Sequence, residues 1–498
     1  MSAIITEKFR QHNANQFFES FTETAGNTYY LFLGKATPFT SGTTTGSDSS
    51  PPTPQDGEQD ETRAWDAMLA AKKIASTDIT YAIPRRNWVN GTTYDMYEHN
   101  ISSANTSTSG ASNIYDSTFY FVTSDYRVYK VLDNGGGTAY DGAEPTSTST
   151  SPFELGGYVL KYMYDISTTD IGKYVTTDFI PVATDSTVST AALDGAIESL
   201  TITAGSGYTD GTYYAAVYGD GTSQGTSSGA IIRITVSSGA IAQFGLTAGT
   251  DTTVHAAGAA YTFGFVNLAA GYTFSDAGLT SASNIGGSGG VINIVISPED
   301  GHGNNAVTEL GGHYLMTATT ITQSENDDFS TANDFRQVGI VVDPTTYGTT
   351  TVASSTTARQ TNVVRFASYS GTFEADEVIT QASTGASGKV VEWDSVLQLL
   401  YYQQENFKGY GTNATTGGLV AFSGTNTITG GTSGATGVPS SESSETVTLA
   451  NSNTLTLTSG YANPELQPDS GDIIYLENRK PIQRASDQTE DIKIIIEF

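Results

Sequence analysis

Residues Tyr115–Leu132 read Tyr-Asp-Ser-Thr-Phe-Tyr-Phe-Val-Thr-Ser-Asp-Tyr-Arg-Val-Tyr-Lys-Val-Leu. Aromatic and aliphatic side chains alternate with polar ones over Phe119, Phe121, Tyr126, Val128 and Lys130, the period of two that a strand presents to its two faces. The stretch predicts two strands around Ser124-Asp125, and Asn134-Gly135 marks the turn that follows. Further strands are expected at Tyr158–Tyr164 and Tyr174–Val182.

The same texture extends towards both ends. Tyr29–Leu33 is aromatic and aliphatic and runs into Gly34 and Pro38, which end a strand. Ile79–Trp88 is extended, since Pro84 keeps Ile83 out of the helical region. Asp334–Asp343 enters Pro344, and Ile473–Leu476 and Ile492–Phe498 close the chain. In that last segment Ile492, Ile494, Ile496 and Phe498 put an apolar row on one sheet face, which predicts a buried strand or, at a chain terminus, equally an edge strand. Two helices interrupt the pattern. Ile4–Phe21 carries an apolar set at Phe9, Phe17, Phe18 and Phe21, and Glu61–Ala75 places Trp65, Met68, Leu69 and Ile74 on one face, with Thr62 as N-cap. Between them Thr40–Asp60 is Ser, Thr, Gly, Pro and acid, which predicts an exposed loop.

Composition agrees with a mainly β chain. Of 498 residues, 53 are Gly and 28 Tyr, and only 15% are charged, which suits short strands joined by tight turns. A chain of this length exceeds what one core can hold and predicts two or three folded units. With 22 Lys and Arg against 52 Asp and Glu, the formal net charge of −30 repels phosphate backbones and anionic headgroups, so neither nucleic acid nor membrane is an expected partner. No apolar run approaches the ~20 residues of a membrane helix, and the N-terminus lacks a signal-peptide core. A soluble, unexported protein is expected. With no cysteine, stability must come from packing, β-ladders and assembly.

Two stretches break the texture. From about Gly195 to Ser297 the chain is rich in Gly, Ala and Thr, and Gly-Tyr-Thr occurs at Gly207–Thr209 and Gly271–Thr273. Within about Asn362–Ser440, the run Ile379–Gly388 is echoed by Ile428–Gly437, two copies of a strand-plus-turn unit that predict paired hairpins. Both stretches read as inserted β-modules, 196–297 and 362–440, leaving 1–195, 298–361 and 441–498 as the core.

Chemistry is sparse. His302 and His313 lie near Glu299, Asp300 and Glu309, but their spacing matches no ligand motif, and a turn holding a satisfied histidine is the expectation. Gly219–Gly221 and Asp300–Gly303 lack the alternating carboxylates of a calcium loop and read as turns. No nucleophile elbow, phosphate loop or dinucleotide fingerprint is present. No catalytic residue, no metal and no cofactor is expected.

Several blocks resemble a known family when read in order: Ile4-Ile5-Thr6-Glu7-Lys8-Phe9-Arg10, Tyr29–Gly34 leading to Pro38, Ile83-Pro84-Arg85-Arg86-Asn87-Trp88, Phe335–Ile340 before Asp343-Pro344, Ile474–Arg479, Pro481-Ile482 and Asp487–Glu490. Together they look like the dimeric baseplate wedge protein of contractile-tailed (T4-like) phages, over roughly 1–190, 298–345 and 465–498. The resemblance implies a β-sandwich core with a few short helices in its loops, a homodimer, contacts to other baseplate wedge subunits, and no catalysis. It places the chain in the virion tail baseplate, assembled in the host cytoplasm, linking inner and peripheral wedge proteins and passing on host-triggered rearrangement. Arg85, Arg86, Trp88, Asn478, Arg479 and Asp487 are the interface candidates, since Arg and Trp are enriched at binding hot spots. The alternative reading is a receptor- or glycan-binding tail component, with or without hydrolase activity.

Overall fold

The computed structural model describes residues 5–23, 26–39, 46–226, 229–242, 254–268, 271–275, 278–283, 285–406, 410–412 and 418–498. Ile4 and residues 40–45 of the expected loop lie outside that set, and Gly271–Thr273 is described by its backbone alone. The protein is mainly β with few short helices. Two compact units divide the chain: Met1–Gln16 with Thr80–Met316 and Ile495–Phe498, and Phe17–Ile79 with Thr317–Ile494.

In the first unit the opening stretch folds as read, with strands Tyr120–Val122 and Arg127–Asp133 paired antiparallel around the Ser124-Asp125 turn. Tyr158–Asp165 and Phe153–Leu155 extend them into a four-stranded sheet. Its inner face is aromatic: Phe119, Phe121, Tyr129, Tyr140 and Tyr158 are fully buried in one cluster. Large flat rings there remove much apolar area from water per residue ordered. Strand Ile79–Pro84 pairs with the short strand Phe179–Pro181, Ile83 opposite Ile180. The longer strand expected over Tyr174–Val182 does not form. Ser167 instead caps a helix, Thr168–Tyr174, by accepting from the Asp170 amide, and the chain is extended only at Phe179–Pro181.

Strands between Ser199 and Val295 pair only with one another among the described residues, in three sheets. They enclose a separate core of Ile197, Leu200, Val217, Ile232, Ile234 and Ile294. Glycine is required at 287, where φ is +76° and a Cβ would lie 2.3 Å from the Tyr208 ring.

In the second unit a five-stranded antiparallel sheet runs Thr357–Arg359, Met68–Lys73, Tyr29–Gly34, Phe335–Val342, Asp472–Ile482. Phe32 faces Gly339 across the ladder, and a Cβ at 339 would sit 2.3 Å from the Phe32 ring. Leu399–Gln403, Ala386–Asp394, Val378–Gln381, Ile428–Gly430, Thr436–Pro439 and Asn362–Ser370 close a β-barrel, because the last of these pairs back with the first. The two echoed runs each fold as a hairpin in its wall. Its interior holds Phe366, Phe373, Ile379, Val390 and Leu400.

The helix expected over Glu61–Ala75 is corrected. It spans Glu58–Ala67, starts after Gly57 with no side-chain cap, and gives way to strand Met68–Lys73. Met-Leu-Ala-Ala-Lys-Lys has good helix propensity, but Tyr29–Gly34 and Thr357–Arg359 offer ladder partners on both sides. Ladder bonds and burial on both sides outweigh tenths of a kcal/mol of propensity. The final strand, Thr489–Glu497, stands at the edge of its sheet, the second of the two expectations for it. Ile494 is buried, whereas Ile492, Ile496 and Phe498 are half-buried.

Candidate functional site

Arg85, Arg86 and Trp88 follow strand Ile79–Pro84 in the first unit, and the backbone there is pinned twice. The Trp88 N–H donates to the Val122 carbonyl (2.8 Å), and the Val122 N–H donates to that of Arg86 (2.7 Å). Arg85 sends Nη1 to the Thr176 carbonyl (2.9 Å) and Nε to Asn87 Oδ1 (2.8 Å). The Arg86 guanidinium lies 4.4 Å over the Tyr120 ring and donates from Nη2 to the Tyr115 carbonyl (2.7 Å). Trp88 is half-buried and meets Tyr140 edge-on, 5.8 Å between centroids. These cations therefore join segments within the unit. Arg86 Nη1 and Trp88 Nε1 are buried without hydrogen-bond partners among the described residues.

The other three candidates belong to the second unit. Asn478 lies on the strand at the sheet edge, accepts from Gln337 Nε2 (2.9 Å), and donates to the Pro52 carbonyl (2.9 Å), which holds the chain before the second helix. Arg479 is exposed, with Glu477 at 3.6 Å. Asp487 is exposed in the turn before the last strand. Of the six, Arg479 and Asp487 present their charged ends to solvent.

Two surface residues that sequence reasoning assigned no such role stand out. Ile5 is 58% exposed and Phe9, one helical turn on, 54%. Phe9 belongs to the apolar set read along this helix. Its helix is held by its polar positions: Arg10 pairs with Glu497 (2.8 Å), Glu7 accepts from Asn113 (3.2 Å), and Gln11 donates to the Thr308 carbonyl (3.1 Å). The only sequence signal was the low hydrophobicity of the turns around Phe9.

A second group missed in the sequence is buried. Lys130 is fully enclosed, with Nζ 2.8 Å from Glu309 Oε2, 2.9 Å from His302 Nδ1, and 3.9 Å from the centre of the Tyr97 ring. An ammonium only donates, so Nδ1 accepts and the imidazole proton sits on Nε2. Glu309 Oε1 accepts from the Gly303 amide (2.7 Å). Burial and the Lys130 charge hold the His302 pKa well below its ordinary value, and burial lowers those of Lys130 and Lys161 and raises that of Glu198. The histidine expected in a satisfied turn is thus a neutral acceptor in an ion-pair network. In the second unit Arg484 makes a two-pronged pair with Glu490 (3.1 and 2.9 Å) and donates to the Ser330 carbonyl. Lys130, Lys161, Arg336, Arg359 and Arg484 are all buried, so the outer surface is poorer in cations than the composition.

Among the described residues no group of three or more His, Asp or Glu is placed to hold a metal ion. A surface depression of about 390 Å³ is lined by Thr150, Ser186, Thr187, Thr190 and Ala191, none of them titratable. Among the described residues no helix is long and apolar enough to cross a membrane.

Folded this way, the chain is mainly β, and its buried cations tie segments together. Residues 3–143 and 443–498, about two fifths of the chain, match a family model described as Phage-Gp8: Bacteriophage T4, Gp8. This partial homology associates the chain with a phage tail or baseplate family and with a structural role there. No curated protein matches the chain. The matched stretches supply Tyr29–Gly34, Met68–Lys73 and Asp472–Ile482 of one sheet. Strand Phe335–Val342, outside the match, lies between two of them. Neither Gly-rich stretch is matched.

Proposed function

We propose that this protein is a non-catalytic structural subunit of a contractile-phage baseplate wedge, acting as a homodimer that links inner and peripheral wedge proteins in the virion. It needs no cofactor and contacts neither nucleic acid nor membrane, and it assembles in the host cytoplasm. The observation that carries this reading is the interleaving of the two matched stretches: strands from both chain ends share one sheet, and Arg10 and Glu497 pair in the other unit. A framework built from both ends is the feature expected of a family member carrying insertions.

The same reading divides the chain into a core of 1–195, 298–361 and 441–498, folded as a β-sandwich, with modules at 196–297 and 362–440. Support comes from the self-contained strand pairing of 199–295 and from the closed barrel of 362–439. Interface contacts are assigned to Arg479, Asp487 and the exposed Ile5 and Phe9. Arg85, Arg86, Trp88 and Asn478 act behind them by fixing the segments they join. With the buried cations withdrawn, the faces offered to neighbours are acidic, and complementary basic surfaces are expected on the partners.

Analytical ultracentrifugation of the full chain, with co-expression of baseplate wedge proteins from the same phage, tests the proposal. A stable dimer that co-purifies with at least one wedge subunit is expected, and Phe9→Asp with Arg479→Glu should weaken assembly by about tenfold or more. A monomer that binds none of them at micromolar concentration overturns it.

A further inference from the structure

The four-stranded sheet of Tyr218–Gly219, Gly264–Phe265, Val291–Val295 and Ser199–Thr203 has one face that its own core does not use. Along Val291–Val295, Ile292 and Ile294 point inward, whereas Val291 is 46% exposed and Asn293 is exposed. Tyr218, Phe265, Asn293 and Thr201 lie directly opposite one another across the four strands and form a single rung on the outer face. Side chains opposite each other in this way sit about 5 Å apart. The Tyr218 and Phe265 rings are nearly parallel, 5.8 Å between centroids and 27° between planes, and Phe265 is 55% exposed. Phe263, two residues earlier, is 56% exposed. Asn293 Nδ2 donates to Thr201 Oγ1 at 3.2 Å, and no other side-chain hydrogen bond engages Asn293 among the described residues.

Aromatic rings on a strand ordinarily pack a sheet, but these two phenylalanines are each more than half exposed and forgo roughly half of the ~1.5–3 kcal/mol that full burial contributes. Exposed apolar surface of this kind marks an interaction site. Its chemistry narrows the occupant. The Tyr218 and Phe265 rings are offset-stacked, with Tyr218 half-buried and Phe265 mostly exposed, so Phe265 presents an apolar ring to solvent; next to it, on the same rung, stand an amide and a hydroxyl. A pyranose has that complement: an apolar C–H face for the ring and hydroxyls at its rim for Asn293 and Thr201. Charge narrows it further. Arg233 is the only Lys or Arg between 196 and 297, and it lies on a different sheet, in a chain of net charge −30. Phosphate, uronate and anionic lipid are therefore disfavoured.

We propose that this face binds a neutral hexose polysaccharide, stacked on Phe265 and hydrogen-bonded by Asn293. This is a surface-recognition activity separate from the wedge role, and either can fail without the other. Titration calorimetry of the full chain with maltohexaose, laminarihexaose, mannohexaose and an alginate oligosaccharide tests it. At least one neutral sugar should bind and alginate should not. Phe265→Ala and Asn293→Ala, at surface positions that leave the thermal melt unchanged, should each weaken binding about tenfold. Binding by none of the neutral sugars, or binding undiminished in both variants, overturns the proposal. So does protection of Phe265 from hydroxyl-radical labelling in sugar-free assembled tails, which would make the face a protein contact.

Discussion

Lys130 shows what a single buried charge demands. In an interior of low dielectric its ammonium needs Glu309, His302 and the Tyr97 ring together, and removing one partner leaves a charge without compensation. Glu309→Gln should cost about 3–5 kcal/mol in urea denaturation, while Lys130→Met with Glu309→Leu should recover most of that loss. Equal losses in the single and double variants would show that packing and not charge matters there. Asp328 makes the opposite case. Burial, aided by the nearby Glu465 charge, raises its pKa to about 7, against the hydrogen bond from Thr357. The folded chain then holds a proton that the unfolded chain has released, so this group's contribution falls as pH rises from about 4 to about 7. Asp328→Asn should flatten that part of the melting-temperature profile and add about 1–2 kcal/mol at pH 8. A profile unchanged by the substitution would refute the assignment. None of these partnerships was legible in the sequence, because Lys130 and Glu309 stand 179 positions apart.

Among the elements, local pattern served well wherever neighbours had no stronger claim. Alternation over Tyr115–Leu132 located both strands and their turn, and the apolar run at Asp334–Asp343 located strand Phe335–Val342. It failed at Met68–Lys73, where helix formers occupy a strand slot between two ladder partners. In the same sheet Gly339 lets the Phe32 ring lie against the neighbouring strand. Gly339→Ala should therefore destabilise by about 1–3 kcal/mol through overpacking, and Phe32→Leu in the same chain should relieve part of it. A neutral Gly339→Ala in thermal unfolding would mean that the ring moves aside freely.

For the molecule entire, the segment 196–297 offers the sharpest test of how the chain is put together. Its strands pair among themselves, and its two ends meet where the Asp300 amide donates to Asp194 Oδ1 at 3.0 Å. Replacing 196–297 by a short Gly-Ser linker should leave a folded chain with the remaining transition intact, as read by calorimetry and ultracentrifugation. Insoluble product would show that the core needs Glu198 and Ser199, which reach the Lys130 network and the Leu132 carbonyl. The candidate site divides in the same manner. Arg479 and Asp487 were named as interface candidates from the block they stand in, and both lie exposed, whereas the rung of Tyr218, Phe265, Asn293 and Thr201 gathers four strands and has no signature along the chain. What the amino-acid sequence settles unaided is whatever depends on near neighbours: the β-rich composition, the strands whose alternation is clear, several turns and the sign of the net charge. Which strand lies beside which, which cations are taken inside and which aromatics are left out depend on contacts between residues tens to hundreds of positions apart. Those contacts have an energy only once the chain has brought them together, and so only the tertiary structure decides them.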